Sequence, residues 1–158
     1  MKKYIFMAVV TLLSVFNANA EQGDISAAAQ FVYASKHSMA GLGAQVQFEP
    51  LTNFRIAPEF IYFFENNHRS ALNANLNLHY VIRTSSSFSI YPLVGFSYGN
   101  YKVDSTLGDF SDDRCGANVG AGAEYRVQQN FYFFSEERFQ IMKDNNQSVT
   151  VLGLKYTF

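Results

Sequence analysis

Apolar and polar side chains alternate at every second position along almost the whole chain after residue 23. The stretch LNANLNLHYVI (72–82) shows the pattern clearly, with apolar side chains at the even positions and mainly asparagine and histidine between them. A repeat of two residues is the period of a β-strand, and no stretch has the 3.6-residue period of an amphipathic helix. The chain must therefore form an antiparallel sheet with one apolar and one polar face.

The alternation divides into eight segments, each close to the length of a tilted membrane strand. The segments are Asp24–Ala34, Gly41–Glu49, Phe54–Phe64, Ala71–Arg83, Phe88–Lys102, Cys115–Val127, Phe131–Ile141 and Ser148–Phe158. Tight turns at 50–53, 84–87 and 128–130 alternate with polar, mostly longer loops at 35–40, 65–70, 103–114 and 142–147. Short turns at one end and longer loops at the other are typical of an outer-membrane barrel.

The segments that follow the tight turns begin alike. They read NFRIAPEF (53–60), SFSIYPLV (87–94) and NFYFFSEE (130–137), with Phe54, Phe88 and Phe131 at the same place. The repeating unit is therefore a hairpin, and a chain of such hairpins is an up-and-down meander. Eight strands are enough to close a meander into a barrel.

The N-terminus predicts export. Lys2 and Lys3 precede an apolar run at 4–16, and Ala18-Asn19-Ala20 forms a small-x-small site. This order is that of a secretory signal peptide, here residues 1–20, followed by a barrel domain at 21–158. The mature chain would carry a net charge of −3 with no basic patch, so we expect no nucleic-acid partner. Cys115 is the only cysteine, which rules out a disulfide within the chain.

Aromatic residues fall at the two ends of the apolar face. Phe and Tyr make up 23 of the 138 mature residues, while the middles of the segments are mainly aliphatic. Two aromatic belts around an aliphatic band match the two interfaces of a lipid bilayer. Beside the tight turns lie Phe48, Phe54, Tyr80, Phe88, Tyr125, Phe131, Tyr156 and Phe158; beside the loops lie Phe31, Tyr33, Tyr62, Phe64, Tyr98 and Phe139.

The polar face would line the barrel. A predicted lumen network contains Arg55, Glu59, Glu124, Arg126, Glu136, Arg138 and Lys155, together with many Asn and Gln side chains. Buried charges persist only when they are paired and hydrogen-bonded, and these four bases and three acids can satisfy one another. Because eight strands leave an interior that side chains just fill, we expect a plugged lumen. Several apolar side chains also point inward, namely Ile61, Phe63, Tyr91, Leu93 and Phe134.

Three positions depart from the pattern. Pro58 and Pro92 lie inside segments, where each removes a ladder hydrogen bond, so we expect local bulges. Glu137 falls on the lipid-facing side, where a charge is costly. Either its side chain reaches toward the rim, or a bulge in the seventh strand shifts the register.

The chain resembles the small eight-stranded outer-membrane barrels: outer-membrane protein X, the barrel of outer-membrane protein A, the opacity proteins and the "porin family" proteins of Gram-negative bacteria such as Bacteroides. The resemblance spans the mature chain and is clearest in NFRIAPEF (53–60), YPLVGFSY (91–98), VGAGAEY (119–125) and LGLKYTF (152–158). It implies that the alternating Leu152, Leu154, Tyr156 and terminal Phe158 act as the signal read by the barrel-assembly machinery.

No catalytic motif stands out. His68 and Ser70 have the spacing of the lipid A deacylase motif but Ala71 follows, and His37-Ser38 lies in the first loop. We interpret them as solvated loop residues, because a nucleophile needs a base and an orienting acid in reach. His79 is expected to donate a hydrogen bond inside the lumen.

No metal or cofactor is expected. No Cys/His cluster has metal spacing, and the loop with Asp109, Asp112 and Asp113 lacks the ligand density of a calcium site. Cys115 is interpreted as a small packing residue, with a reactive thiol as the alternative.

The expected protein is a monomeric outer-membrane barrel in contact with membrane lipid and lipopolysaccharide. Its expected role is structural or surface-interacting, with at most narrow solute passage. Two alternatives stay open: a lipid A-modifying membrane enzyme, and a soluble periplasmic lipocalin-like barrel with the apolar face turned inward to a ligand. The absence of Trp argues against the lipocalin, because its Gly-x-Trp signature is missing.

Overall fold

The computed structural model describes residues 23–36, 38–66, 69–103, 110–143 and 146–158, so the predicted signal peptide lies outside the described residues. Every regular element in this part of the chain is a β-strand, and no helix there is long and apolar enough to cross a membrane. The strands are β1 (Ile25–Ala34), β2 (Met39–Leu51), β3 (Phe54–Asn66), β4 (Arg69–Tyr80, continued by Ile82–Arg83), β5 (Phe88–Val103), β6 (Phe110–Gln128), β7 (Phe131–Met142) and β8 (Gln147–Thr157).

The sheet closes on itself. Each strand pairs antiparallel with its neighbours in sequence, and β1 also pairs with β8 from Ser26↔Thr157 to Ala34↔Val149. The predicted eight-stranded up-and-down barrel is therefore confirmed. We call the end that carries the three tight turns the turn side and the opposite end the loop side.

The strands are staggered around the barrel. Following paired residues once around from Ile25 ends at Ser148, whose carbonyl oxygen accepts the backbone N–H of Ser35, ten positions beyond the start. Such a stagger requires strands tilted by roughly 35–45° and fixes a narrow interior. The intermediate partners are Phe48, Ile56, Leu78, Val94, Val119 and Phe139.

The predicted loop at 103–114 is too long. The β5–β6 ladder runs from Phe88↔Tyr125 to Val103↔Phe110, so the connection is only 104–109. The polar residues before Cys115 do not alternate in hydropathy because this part of the hairpin lies beyond the apolar band. Their strand pairing therefore left no signal in the sequence.

The bulges predicted at the two prolines are absent. Pro58 keeps the register of β3 against β4 (Pro58↔Leu76), and Pro92 keeps that of β5 against β6 (Pro92↔Ala121). On the β4 side, pairing with β5 stops after His79↔Leu93 and resumes at Ile82↔Ile90, so the gap includes Pro92, yet the register is the same on both sides of it. A missing N–H has removed local pairing without inserting a residue. The register shifts lie instead near strand ends, between Phe48 and Leu51, Phe63 and Asn66, and Arg126 and Gln128.

The two faces are oriented as an outer-membrane barrel requires. Large apolar side chains such as Phe60, Leu76 and Leu154 are exposed on the outside, whereas glutamines, asparagines and charged groups are buried inside. This excludes the lipocalin-like arrangement, in which the apolar face would point inward. All the predicted belt residues are exposed except Phe48, which is half-buried. On the turn side, belt rings contact one another edge to face, as in Phe131–Tyr156 and Tyr156–Phe158.

Candidate functional site

An ionic network lies at the turn-side end of the lumen. Arg55 donates from Nη1 and Nη2 to the two carboxylate oxygens of Glu124 (2.9 and 3.0 Å), and from Nε and Nη2 to Glu49 (3.0 and 2.7 Å). Lys155 donates to the same Glu124 at 2.5 Å, and Arg83 bonds Glu49 at 2.6 Å. Arg55 and Lys155 are buried, but Arg83 is half exposed. We call these five residues the turn-side network.

A second ionic group lies deeper, in the middle of the lumen. The Arg138 guanidinium is 2.6 Å from a Glu59 oxygen and 3.7 Å from Glu136, and all three side chains are fully buried. Gln30 and Asn75 each donate to Glu59 at 2.7 Å. Because charges removed from water are costly, such a group is tolerated only with partners of this kind. We call Arg138, Glu59 and Glu136 the mid-lumen group.

Tyr91 joins the two ionic groups. Its hydroxyl donates to Glu136 at 2.9 Å, and the Arg55 guanidinium stands 5.6 Å from its ring centre. The His79 ring stacks on Tyr91 at 4.7 Å. Neither ring nitrogen of His79 has a hydrogen-bond partner among the described residues, so the expected donation from His79 is not found. A Cβ at Gly122 would lie 2.5 Å from the Tyr91 ring, so glycine makes this inward position of Tyr91 possible.

Amide side chains continue the hydrogen bonding toward the loop side. Asn118 donates to Asn77 at 3.0 Å, Gln140 donates to Ser97 at 2.7 Å, and Gln147 donates to Gln140 at 2.7 Å. These residues come from five consecutive strands, β4 to β8, and each bond joins neighbouring strands or strands two apart. The amide bonds start at the mid-lumen group itself, since Asn77 donates to Glu59 at 3.5 Å and Asn118 donates to Asn75 at 3.3 Å.

An apolar cluster fills the loop-side end of the lumen. Its residues are buried, with Tyr101 packed against them and donating to the Met142 sulfur at 3.7 Å. The lumen therefore passes from an ionic mouth, through a buried ionic and amide middle, to an apolar cap. The cap includes Val32, Ala34, Met39, Ile61, Phe63, Ala71, Val149 and Val151. Two further members of the cluster, Ala28 and Phe134, pair with Lys155 and Glu124 and extend it toward the turn side.

Six of the seven residues predicted for the lumen network are buried together, and the seventh lies apart. Arg126 is exposed at the turn-side mouth, 5.5 Å from the ring of Tyr132, which Lys155 also contacts. Sequence reasoning missed Glu49 and Arg83 as members of the turn-side network. Their opposite charges could have suggested a pair, but 34 residues separate them and only the register brings them together.

Glu137 stays on the outer face. The β7–β8 register is continuous from Phe131↔Tyr156 to Gln140↔Gln147, so no bulge turns it inward. Ser148 donates to one of its carboxylate oxygens, and Thr150 donates to the other at 2.6 Å. The carboxylate is thereby partnered by the neighbouring strand.

Among the residues that the structure describes, the remaining sequence candidates form no reactive arrangement. His37, His68 and Asp109 lie outside the described residues, and Ser70 is half-buried in β4. No group of three or more potential metal ligands occurs among the residues that the structure describes. Asp112 pairs with Arg114 at 2.7 Å, Asp113 accepts from Asn100, and Cys115 is exposed. The described arrangement supplies buried ion pairs and a closed interior.

A family comparison agrees with this architecture. The model of the outer membrane protein beta-barrel domain family matches residues 7–158. The chain belongs to this family and is an integral β-barrel protein of the outer membrane. The predicted fold, membrane and family resemblance are thereby confirmed. No curated protein matches the chain.

Solved outer-membrane barrels share the fold. The N-terminal β-barrel domain of Pseudomonas aeruginosa OprF superposes with a TM-score of 0.77 at 16% identity, covering 87% of this chain and 98% of that one. Ail, the attachment invasion locus protein of Yersinia pestis, gives 0.65 at 18% identity, with 87% and 98% covered. Neisserial surface protein A gives 0.66 at 17% identity, with 86% and 97% covered. At these identities the likeness concerns the fold.

Proposed function

We propose that this protein is a closed outer-membrane barrel with a structural or surface-interacting role, and that its lumen carries at most very small solutes. The observation that carries the proposal is the filled interior. Arg138, Glu59 and Glu136 are fully buried at mid-lumen, and Phe63 and Met39 belong to the apolar cap above them. An open channel would instead leave its lining side chains exposed to water.

Planar-bilayer recording tests the closed lumen. Purified protein that shifts on a denaturing gel after boiling, as a folded barrel does, is added to a bilayer under voltage. We expect no reproducible porin-sized steps. A stable large conductance from heat-modifiable wild-type protein would contradict the proposal. The matched variant Phe63→Ala removes a large side chain from the cap, and any leak it causes would locate the barrier there.

Export and assembly form the second part of the proposal. Residues 1–20 are removed on export, and Leu152, Leu154, Tyr156 and Phe158 are read by the barrel-assembly machinery. All four side chains are exposed on the outer face of the last strand or just beyond it, which supports their availability for recognition. Mass measurement of outer-membrane material should give a chain that begins at Glu21. An N-terminus at Met1 would contradict it.

Deletion of Phe158 tests the assembly signal. We expect a lower yield of heat-modifiable barrel in the outer membrane and accumulation of unfolded chain. Phe131→Ala is the control, because it removes a belt ring that contacts Tyr156 without altering the terminal residues. Equal loss of yield in both variants would mean that the belt, and not the signal, explains the effect.

The barrel is proposed to act as a monomer without enzymatic activity. Among the described strands the sheet closes and leaves no unpaired edge, which removes the usual route to strand-mediated association. A lipid A-modifying activity is tested by His68→Ala and Ser70→Ala in cells. We expect an unchanged lipid A profile, and a changed profile would restore the enzyme alternative.

A further inference from the structure

Glu137 is a carboxylate on a surface that otherwise faces hydrocarbon. It lies on β7 two residues below Phe139 of the loop-side belt, and it is paired with Ala121 on one side and Thr150 on the other. An ionisable residue in such a position is costly and calls for a partner. Ser148 and Thr150 each donate to a different carboxylate oxygen, but neither of these neutral hydroxyls removes the charge.

The surface just below Glu137, toward the membrane centre, carries small side chains, which leave a shallow recess between the larger rings. The outward residues there are small: Ala121 opposite Glu137, and Ala123 opposite Ser135 on the same ladder. Phe139 above and Phe133 below are exposed rings that bound the recess along β7. A charged group near the rim therefore lies directly above a shallow apolar lane.

We infer that Glu137, Ser148 and Thr150 form a lipid-binding site for a headgroup that ends in a primary ammonium, with an acyl chain in the lane over Ala121 and Ala123. The negative charge of the Glu137 carboxylate favours a cationic headgroup. An ammonium has three N–H donors, and the cluster offers the remaining lone pairs of one carboxylate and two hydroxyls. A calcium ion takes about six to eight oxygen ligands, more than one carboxylate and two hydroxyls supply, whereas three acceptors satisfy an ammonium. The site rests on the outer-membrane location and is independent of whether the lumen conducts.

Native mass spectrometry of the full barrel tests the site. The protein is exchanged into micelles that contain equal amounts of phosphatidylethanolamine and phosphatidylcholine with identical acyl chains. The choline headgroup keeps the positive charge but has no N–H donor. We expect wild-type protein to retain phosphatidylethanolamine about tenfold over phosphatidylcholine, since only the ammonium headgroup can donate charge-assisted hydrogen bonds to Glu137.

Glu137→Gln keeps the shape of the side chain, removes its charge and should abolish this preference. Glu65→Gln is the control, because it removes one carboxylate charge at the loop-side end of β3, four strands away around the barrel. It should bind lipid as wild type does. Equal retention of both lipids by the wild type would overturn the inference, as would an unchanged preference in Glu137→Gln. A barrel dimer that Glu137→Gln dissolves, without any lipid preference, would overturn it in favour of a second copy. A heat shift retained by each variant shows that the barrel is folded.

Discussion

Both ionic groups of the lumen contain arginine–glutamate pairs, but the two groups differ in how far water reaches their charges. In the turn-side network, Arg83 is 47% exposed and Glu49 14% exposed, so water still reaches it. In the mid-lumen group, Arg138, Glu59 and Glu136 are fully buried. Because the energy of an ion pair depends on how much water its charges have lost, the deeper group should be far more sensitive to the loss of one partner. The comparison indicates that the contribution of each charge to stability depends more on its position along the barrel axis than on its residue type.

The largest effect is expected for Arg138→Met. The substitution leaves Glu59 and Glu136 buried without their cation and should cost about 3–5 kcal/mol of unfolding free energy. Urea titration in detergent micelles measures the loss. Arg126→Met is the matched control, since Arg126 is exposed and its guanidinium stands 5.5 Å from the Tyr132 ring centre. This substitution should cost less than about 1 kcal/mol. Equal losses of unfolding free energy in the two variants would show that burial does not determine how much each charge contributes.

Glu124→Gln should have a smaller but clear effect. It removes the carboxylate that Arg55 and Lys155 share, while Arg55 keeps its bonds to Glu49. We expect a loss of about 2–3 kcal/mol in the same titration. Adding Lys155→Met to this variant should recover part of the loss, because it removes the cation left without its carboxylate. A further loss on adding Lys155→Met would show that the lysine stem, rather than its charge, stabilises the mouth.

Tyr91→Phe tests the connection between the two groups. It removes the hydroxyl that donates to Glu136 but keeps the ring that Arg55 and His79 contact. The expected cost is about 1–2 kcal/mol. In a double-mutant cycle, Tyr91→Phe and Glu136→Gln should be non-additive, whereas Tyr91→Phe and Arg83→Met should be additive. Additivity in the first pair would show that the hydroxyl bond contributes nothing.

Arg83→Met should have the smallest effect. Its guanidinium bonds Glu49 and Asn53 at the exposed mouth, so we expect a loss below about 1 kcal/mol. Raising the salt concentration should reduce the difference from wild type further, because exposed charges are screened. The Arg138→Met effect should change little over the same salt range. A salt-sensitive loss at Arg138 would place that group in contact with bulk water.

Much of the fold could be predicted because the alternation of apolar and polar residues repeats in every strand. Alternation places Leu76 outside and Asn77 inside whatever the exact strand ends are, and the belt aromatics then mark the two interfaces. Strand ends above the membrane were harder, since the polar hairpin around Asp112 and Asp113 pairs its backbone without any hydropathy pattern. The prolines were misjudged for a related reason. A missing N–H tells where pairing weakens, but whether the strand bulges depends on the partner strands.

The sequence by itself determined the strand count, the direction of each face, the belts and the presence of charges inside, because side-chain parity along a strand is a local property. Only the tertiary structure decided which charges meet. Arg83 donates to Glu49, Tyr91 donates to Glu136, and Ser148 and Thr150 donate to Glu137. These partners are close in space because of the ten-residue stagger and the ladder registers. Those registers belong to the closed barrel as a whole. Partners on different strands are therefore set by closure, which no short stretch of sequence contains.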